Sequence, residues 1–256
     1  MKSHKIRNAI IVVVIGIVVI TPISIKLINQ QPILEDRTIG KESNNNSPNP
    51  SEDMKGNEVI DKENNEDIIM DYGNDTYELT EEGIIEPKVA AKLIKDTSDK
   101  IINAISDKDV ETISDIVHPI KGVRFTPYTY VSLESDLVFN KEEIKNFFKD
   151  NDIYVWGYYD GIGDEIELTP SDYYEKFIYT EDFVNAEKVG YNEVLSIGNM
   201  LENQFEVYEN HIVVEYYFSG FNPEYEGMDW RSLRLVFEQY EGSWKLVGII
   251  NNQWTI

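Results

Sequence analysis

The sequence predicts an α+β protein: a curved antiparallel sheet packed on N-terminal helices, preceded by a transmembrane helix and a disordered acidic linker. Apolar residues at helical spacing occupy two stretches, Pro87 to Ser106 and Val110 to Val117, before any strand pattern appears. From Phe125 onward lie 28 of the 30 aromatic residues, in short segments broken by turn residues. The residues from Trp230 to Ile256 then read as one long hairpin, in which Leu233, Leu235 and Phe237 alternate with Arg234, Val236 and Glu238. A Glu241-Gly242 link leads to Trp244, Leu246, Gly248 and Ile250, alternating with Lys245, Val247 and Ile249. One face of this hairpin is expected to be buried, with Trp244 on it, and the C-terminus is expected to be structural.

Composition narrows the class further. A formal net charge of −24 over 256 residues repels phosphate backbones and anionic lipid surfaces, so no nucleic acid is expected as a partner. The absence of cysteine excludes disulfides, thiolate metal sites and a cysteine nucleophile. With three histidines, and His4 ahead of the apolar segment, only His118 and His211 remain for chemistry, which is too few for a histidine-rich zinc site.

Lys2, Lys5 and Arg7 mark residues 1–8 as a cytoplasmic N-terminus. The run from Ala9 through Ile25 is uncharged, and residues 9–28 read as a transmembrane signal anchor, with no small-residue cleavage site following. Positive charge before the span and acid after it place the remainder outside the cell membrane, so the chain is expected to be single-pass with an extracytoplasmic C-terminal domain. Residues 29–86 carry 16 acids and 4 bases, half of the formal charge, with two aromatics, and are expected to be a disordered tether. Within it, Asp67 to Leu79 is the part apolar enough to dock or form a short strand.

The domain proper is expected at 87–256. Pro87 suits a first helical position, with Ala90, Leu93, Ile94, Ile101 and Ile105 on one face. Asp109 is a candidate N-cap for a second helix ended by His118-Pro119. Val123 to Val131 reads as a strand interrupted at Pro127, Asn140 with Glu143 as a capping box, and Tyr154 to Leu168 as two strands around a turn at Asp160 to Asp164. Thr169 to Asp172 starts a helix bearing Tyr173, Tyr174 and Phe177. Tyr191 to Ile197, Phe205 to Tyr208 and His211 to Phe218 follow as strands.

A long helix, a short helix and a bent sheet finished by Phe237, Gly242, Trp244, Lys245, Leu246, Val247, Gly248 and Ile249 resemble nuclear transport factor 2-like (cystatin-like) cone domains, over about Pro87 to Ile256. His118 to Phe125, H-P-x-x-G-V-R-F, resembles an uncharacterised membrane-anchored bacterial protein family. The resemblance implies a cone-shaped sheet wrapped on a helix with a pocket at its open end, which hosts catalysis in some members and binding in others.

Candidate ligand-binding residues are His118, Arg124, Tyr128, Trp156, Asp160 and Arg231. His118, Arg124, Tyr128 and Arg231 either converge on one pocket mouth, attracting a carboxylate-bearing ligand, or do structural work: His118 capping helix carbonyls, Arg124 and Arg231 pairing with carboxylates. Trp156 belongs to a set of sheet aromatics that are either a stacking surface or core. Asp160, Asp164, Glu165 and Glu167 offer a hard cation its oxygens, but their spacing departs from the calcium loop and a solvated turn accounts for them. No phosphate loop, G-x-S-x-G or H-E-x-x-H occurs, so no cofactor, metal or catalytic residue is assigned. The expected function is a membrane-tethered extracytoplasmic module binding an envelope ligand or protein. The alternative is a small cone-pocket enzyme of isomerase, dehydratase or hydrolase type, using a buried Asp or His118.

Overall fold

The computed structural model describes residues 69–72 and 75–255; the segments read as cytoplasmic N-terminus and membrane anchor, and most of the linker, lie outside the described residues. No helix among the described residues is long and apolar enough to cross a membrane.

The described chain starts inside the segment expected to be a disordered tether. Strands β1 (Ile69–Tyr72) and β2 (Asp75–Glu78) form an antiparallel hairpin. Tyr77 and the fully buried Ile85 belong to the main core, so residues from 69 onward are part of the folded domain and the boundary at 87 is too late.

Helix α1 (Pro87–Ser106) starts at a proline whose missing N–H costs nothing in a first turn, and it buries Ala90, Ile94, Ile101 and Ile105 along one stripe. It stops where Lys108 takes φ +55°, a left-handed conformation that no α-helix continues through. Asp109 then caps α2 (Val110–Ile116), accepting from the Thr112 N–H at 3.1 Å and the Thr112 hydroxyl at 2.7 Å. The capping box opens α3 (Lys141–Lys145): the Asn140 side chain accepts from the Glu142 and Glu143 N–H groups, and Glu143 Oε2 accepts from the Asn140 N–H at 2.7 Å. Thr169 caps α4 (Pro170–Tyr173), which runs on into a π-helical turn at Tyr174–Ile178.

Six strands make the main sheet: β3 (Val123–Thr126), β4 (Leu137–Phe139), β7 (Lys188–Tyr191), β8 (Ile212–Phe218), β9 (Arg231–Tyr240) and β10 (Ser243–Gln253). Their spatial order is β4-β3-β10-β9-β8-β7. The terminal hairpin, read from sequence as closing the sheet, is its centre. The sheet is also mixed, because β3 runs parallel to β10, pairing Arg124 with Gly248 and Phe125 with Ile249. The Glu241-Gly242 turn has φ +48° and +74°, as a two-residue hairpin of matching twist needs. Strands β5 (Tyr154–Tyr158) and β6 (Glu165–Leu168) pair as expected, but as a separate ribbon.

A bulge between Leu246 and Gly248 reverses the expected facing of β10. Leu246 and Ile249 enter the main core, while Val247 and Ile250 face the other side. Both faces of the hairpin are thus covered: residues 232–237 are all buried, whereas Trp244 is only half-buried. The helices and the aromatic cluster lie on one face. The segment 192–208, expected as two strands, lies on the other as loop and one helical turn, α5 (Gln204–Val207).

That segment is held by a buried polar network. Glu215 and Arg234, neighbours across β8 and β9, are fully buried with Arg234 Nε 3.3 Å from Glu215 Oε1. Glu215 accepts from the Leu195 N–H at 2.7 Å and from the Ser232 hydroxyl at 2.5 Å. Arg234 donates to Glu202 at 2.6 Å and to Ser196 Oγ at 3.0 Å, and Asn252 donates to the same oxygen at 2.9 Å. Every charge taken from water here has partners, which is what lets strands carry it.

Candidate functional site

The interior of the expected cone is filled. Trp156 is fully buried, stacked on Tyr173 with ring centres 3.8 Å apart, and its indole N–H donates to the Leu168 carbonyl at 3.0 Å. Phe125 packs edge-on to Trp156 at 5.6 Å, and Phe139 stacks on it at 5.4 Å. Between α2, α3, the π-helical turn and the sheet, a cavity of about 30 Å³ survives, lined wholly by apolar and aromatic side chains. Trp156 is therefore a core residue and not a ligand-stacking surface. The reason is sequence-local: the turn after α3 carries Phe147, and α4 with its π-helical continuation carries Tyr173, Tyr174 and Phe177, into the space that the sheet curves around.

The six residues read as a site fall into three places. Tyr128 packs against Phe177 at 5.8 Å, and burial pushes its hydroxyl above the ordinary value, against a backbone N–H at Asp160. Asp160 itself is exposed on its turn. Arg231 donates from Nη1 to the Asp229 and Trp230 carbonyls at 3.3 and 3.0 Å, within its own loop. His118 lies at the opposite end of β9, with Nε2 3.7 Å from Glu238 Oε2. At ~3.3 Å per residue, the seven steps from Arg231 to Glu238 span roughly 23 Å, so His118 and Arg231 share no pocket mouth. The expected convergence is corrected.

What the fold does bring together is His118, His211, Lys121 and Glu238. Helix α2 ends because Pro119 disfavours a helical residue before it, and the chain turns through Gly122, at φ +70°, where a β-carbon would stand 2.6 Å from the Phe139 carbonyl oxygen. In that turn His118 Nδ1 accepts from the Ile120 and Lys121 N–H groups at 3.2 and 3.0 Å. It caps no helix carbonyl, and its ring proton is on Nε2. His211 carries a proton on Nδ1, which stands 2.5 Å from the Glu209 carbonyl, an acceptor only. Its Nε2 faces Glu238 Oε2 at 3.5 Å, and among the described residues that oxygen has no hydrogen-bond partner of ordinary geometry. Lys121 Nζ holds the other oxygen at 2.7 Å.

Burial lowers the pKa of both imidazoles, with Glu238 opposing. Burial alone would raise the Glu238 carboxyl, but the Lys121 ammonium and the two imidazoles bring it below its ordinary value. A metal ligated by both histidines and Glu238 does not fit this chemistry, because His118 Nε2 already carries the proton while Nδ1 accepts two hydrogen bonds. Among the described residues no group of three His, Asp or Glu side chains is placed to hold a metal ion, the acidic turn at 160–167 included.

Beside this cluster a pocket of about 280 Å³ opens on the second face of the sheet, lined by Lys121, Arg124, Tyr208 and His211 and by Leu133, Val138, Val207 and Val247. Arg124 alternates with the core residues Val123 and Phe125, which turns it to this face. Its Nη1 donates to the Ser132 and Asp136 carbonyls at 3.2 and 3.1 Å, so it pairs with no carboxylate. Asp136, deeply buried, accepts from the Thr126 hydroxyl at 2.6 Å and the Ser132 N–H at 3.0 Å. Burial pushes its pKa up to about 6. Tyr208 is buried with its hydroxyl unpartnered, above Gly248, where a β-carbon would stand 2.8 Å from that oxygen. Burial raises the pKa of this hydroxyl, and the nearby Arg124 charge opposes the rise without a hydrogen bond of ordinary geometry.

Sequence reasoning singled out His118 and Arg124 but missed Lys121, Tyr208, His211 as a neighbour of His118, and Glu238. The signal for Glu238 lies in strand pairing, because antiparallel register with Ile212 opposite Phe237 puts His211, one residue earlier, opposite Glu238. Likewise Glu215 and Arg234, opposite charges inside two apolar runs, mark a cross-strand pair.

No family model matches the chain, and no curated protein does. Among solved structures, one from Xanthomonas campestris, assigned provisionally as a calcium/calmodulin dependent protein kinase II association domain, matches at 15% identity. The match covers 65% of this chain and 85% of that one with a TM-score of 0.27, a likeness that carries no argument about function.

Proposed function

We propose that this protein is a membrane-tethered extracytoplasmic ligand-binding module of the cell envelope, its folded part a nuclear transport factor 2-like cone filled with aromatic side chains. The observation that carries the reading is the pair of cavities. The cone side keeps about 30 Å³ with only apolar lining, too little for a substrate, while the second face holds about 280 Å³ lined by cations and aliphatic side chains. The enzyme alternative needs a buried Asp or His118 facing a cavity. Asp136 and His118 are buried, but Asp136 spends its Oδ2 on Thr126 and Ser132, and neither residue lines the cone cavity or the cation-lined pocket.

The tether rests on the uncharged run from Ala9 through Ile25 behind Lys2, Lys5 and Arg7. Two measurements test the proposal on the full chain. Protease added to intact cells should digest the C-terminal domain without permeabilisation; protection of that domain rejects the topology. Native mass spectrometry of the detergent-extracted protein should show a non-covalent adduct lost on denaturation, and its absence rejects the binding module.

A further inference from the structure

We infer that the pocket between Lys121, Arg124, His211 and Tyr208 binds a small organic carboxylate carried on an apolar body. This rests on the ligand-binding reading above and gives it a ligand class.

The lining has two chemistries. Leu133, Val138, Val207 and Val247 supply aliphatic wall, and Lys121 and Arg124 supply the positive charge. Arg124 is held in place by its two Nη1 bonds to backbone carbonyls, and among the described residues Nη2 and Nε make no further hydrogen bond of ordinary geometry. A guanidinium fixed on one side presents a planar fork on the other, the geometry that takes a carboxylate with two parallel bonds. Lys121 reaches Glu238 with an exposed ammonium that has donors to spare. His211 turns Nε2 towards Glu238 and forms wall, so the ligand's charge is met by Lys121 and Arg124.

Tyr208 adds a polar group to the lining residues. Its hydroxyl is enclosed against Gly248 and, among the described residues, has no hydrogen-bond partner of ordinary geometry, which leaves it to be completed by a ligand. The absence of a side chain at Gly248 is what admits the hydroxyl there.

Charge and size select among anions. Residues 87–256 carry 31 acids and 15 bases, −16, so a large polyanion is repelled by the chain around the pocket while a single carboxylate is met by Lys121 and Arg124. Aliphatic walls favour an apolar body over a bare inorganic anion. At about 280 Å³ the pocket is at the small end for ligand sites, the scale of a branched short-chain acid.

The test is isothermal titration of the full-length protein in detergent micelles with 4-methylpentanoate, 4-methylpentanamide and inorganic phosphate. Saturable binding of the carboxylate is expected, with the amide and phosphate at least about tenfold weaker. Lys121→Gln and Tyr208→Phe should each weaken the carboxylate by about tenfold. Tyr208→Phe should keep or raise the thermal midpoint, since the hydroxyl it removes has no partner, and this shows that the loss is not unfolding. Equal affinity for the amide, equal or tighter phosphate, or affinities unmoved by both variants overturns the proposal. So does the failure of all three probes to bind the wild type. In that case a native adduct that survives both variants leaves the broader binding reading standing, and a missing adduct removes both.

Discussion

Asp136 is a carboxyl that the fold keeps against its solvation. Burial lifts it from 3.8 to about 6, opposed by the Thr126 hydroxyl, the Ser132 N–H and the Arg124 charge. The folded state therefore binds this proton more tightly than the unfolded chain. The stability attached to it is present in full below the unfolded value and is lost as pH rises through the folded one, on the order of 3 kcal/mol in total. Asp136→Asn removes that dependence: in urea titrations, wild type should lose on the order of 3 kcal/mol relative to the variant between about pH 4 and about pH 7. The lowered histidines act in the opposite sense, adding stability above their ordinary value of 6.5 that is lost as pH falls, and they cancel in this difference. A flat difference means that the carboxyl titrates near its ordinary value. The two tryptophans make a second residue-scale comparison. Trp156→Ala should cost about 3–5 kcal/mol because the ring is enclosed, and Trp244→Ala clearly less because it is only partly buried at the edge of the core. Equal shifts in thermal midpoint would contradict the facing of β10.

At the scale of elements, the segment 192–208 is fastened over the sheet by the Glu215–Arg234 network at its start and by Phe205, Val207 and Tyr208 packing on Val213, Val236 and Val247 at its end. Arg234→Met leaves Glu215 buried without its countercharge, a change that typically costs about 3–5 kcal/mol. Adding Glu215→Leu should recover much of that loss, and hydrogen exchange over 192–208 should rise in the single variant more than in the double. Both variants equally destabilised would show that the pair is incidental. The N-terminal hairpin is the other element whose role is decided by packing. A chain beginning at Pro87 lacks Tyr77, the fully buried Ile85 and the Ile85 carbonyl that accepts from Asn192 Nδ2 at 2.9 Å. Losing one large buried aliphatic costs about 2–5 kcal/mol, so this chain should melt roughly 10 °C below one beginning at Ile69. Equal midpoints would return the boundary to Pro87.

Across the molecule, one core joins α1, α2, the aromatic cluster and five strands of the main sheet, with Ile85, Ile101, Phe125, Trp156, Leu235 and Ile249 in it. Calorimetry of residues 69–256 should therefore show one transition, with the calorimetric enthalpy equal to the van't Hoff value; two transitions would mean that the β5–β6 ribbon with its aromatics melts apart from the sheet. Much of this architecture was legible in the residues. Local rules act within a few positions, and they located α1 from Pro87 and its apolar stripe, α2 from Asp109, α3 from the Asn140–Glu143 box, α4 from Thr169, and the terminal hairpin from Glu241-Gly242. Residues 205–208 were misread because four residues with two apolar ones fit a strand as well as a helical turn, and only the polar anchors Asn203 and Gln204 under the loop decide between them.

The sequence by itself determined the class, the order of the first four helices and the terminal hairpin, the net acidic charge, and the presence of a cation and an imidazole near the end of the second helix. Tertiary structure alone decided that β10 lies at the centre beside a parallel β3, that a bulge at Val247 exchanges the faces of its two halves, and that aromatics from β3, β4, β5, α4 and the π-helical turn fill the cone. It alone placed His211 and Glu238 beside His118, and Tyr208 over Gly248. The physical reason is range. Capping, turn chemistry and periodicity are settled by neighbours along the chain, whereas a pocket is made by residues more than a hundred positions apart, whose approach depends on sheet order and on a single extra residue in one strand.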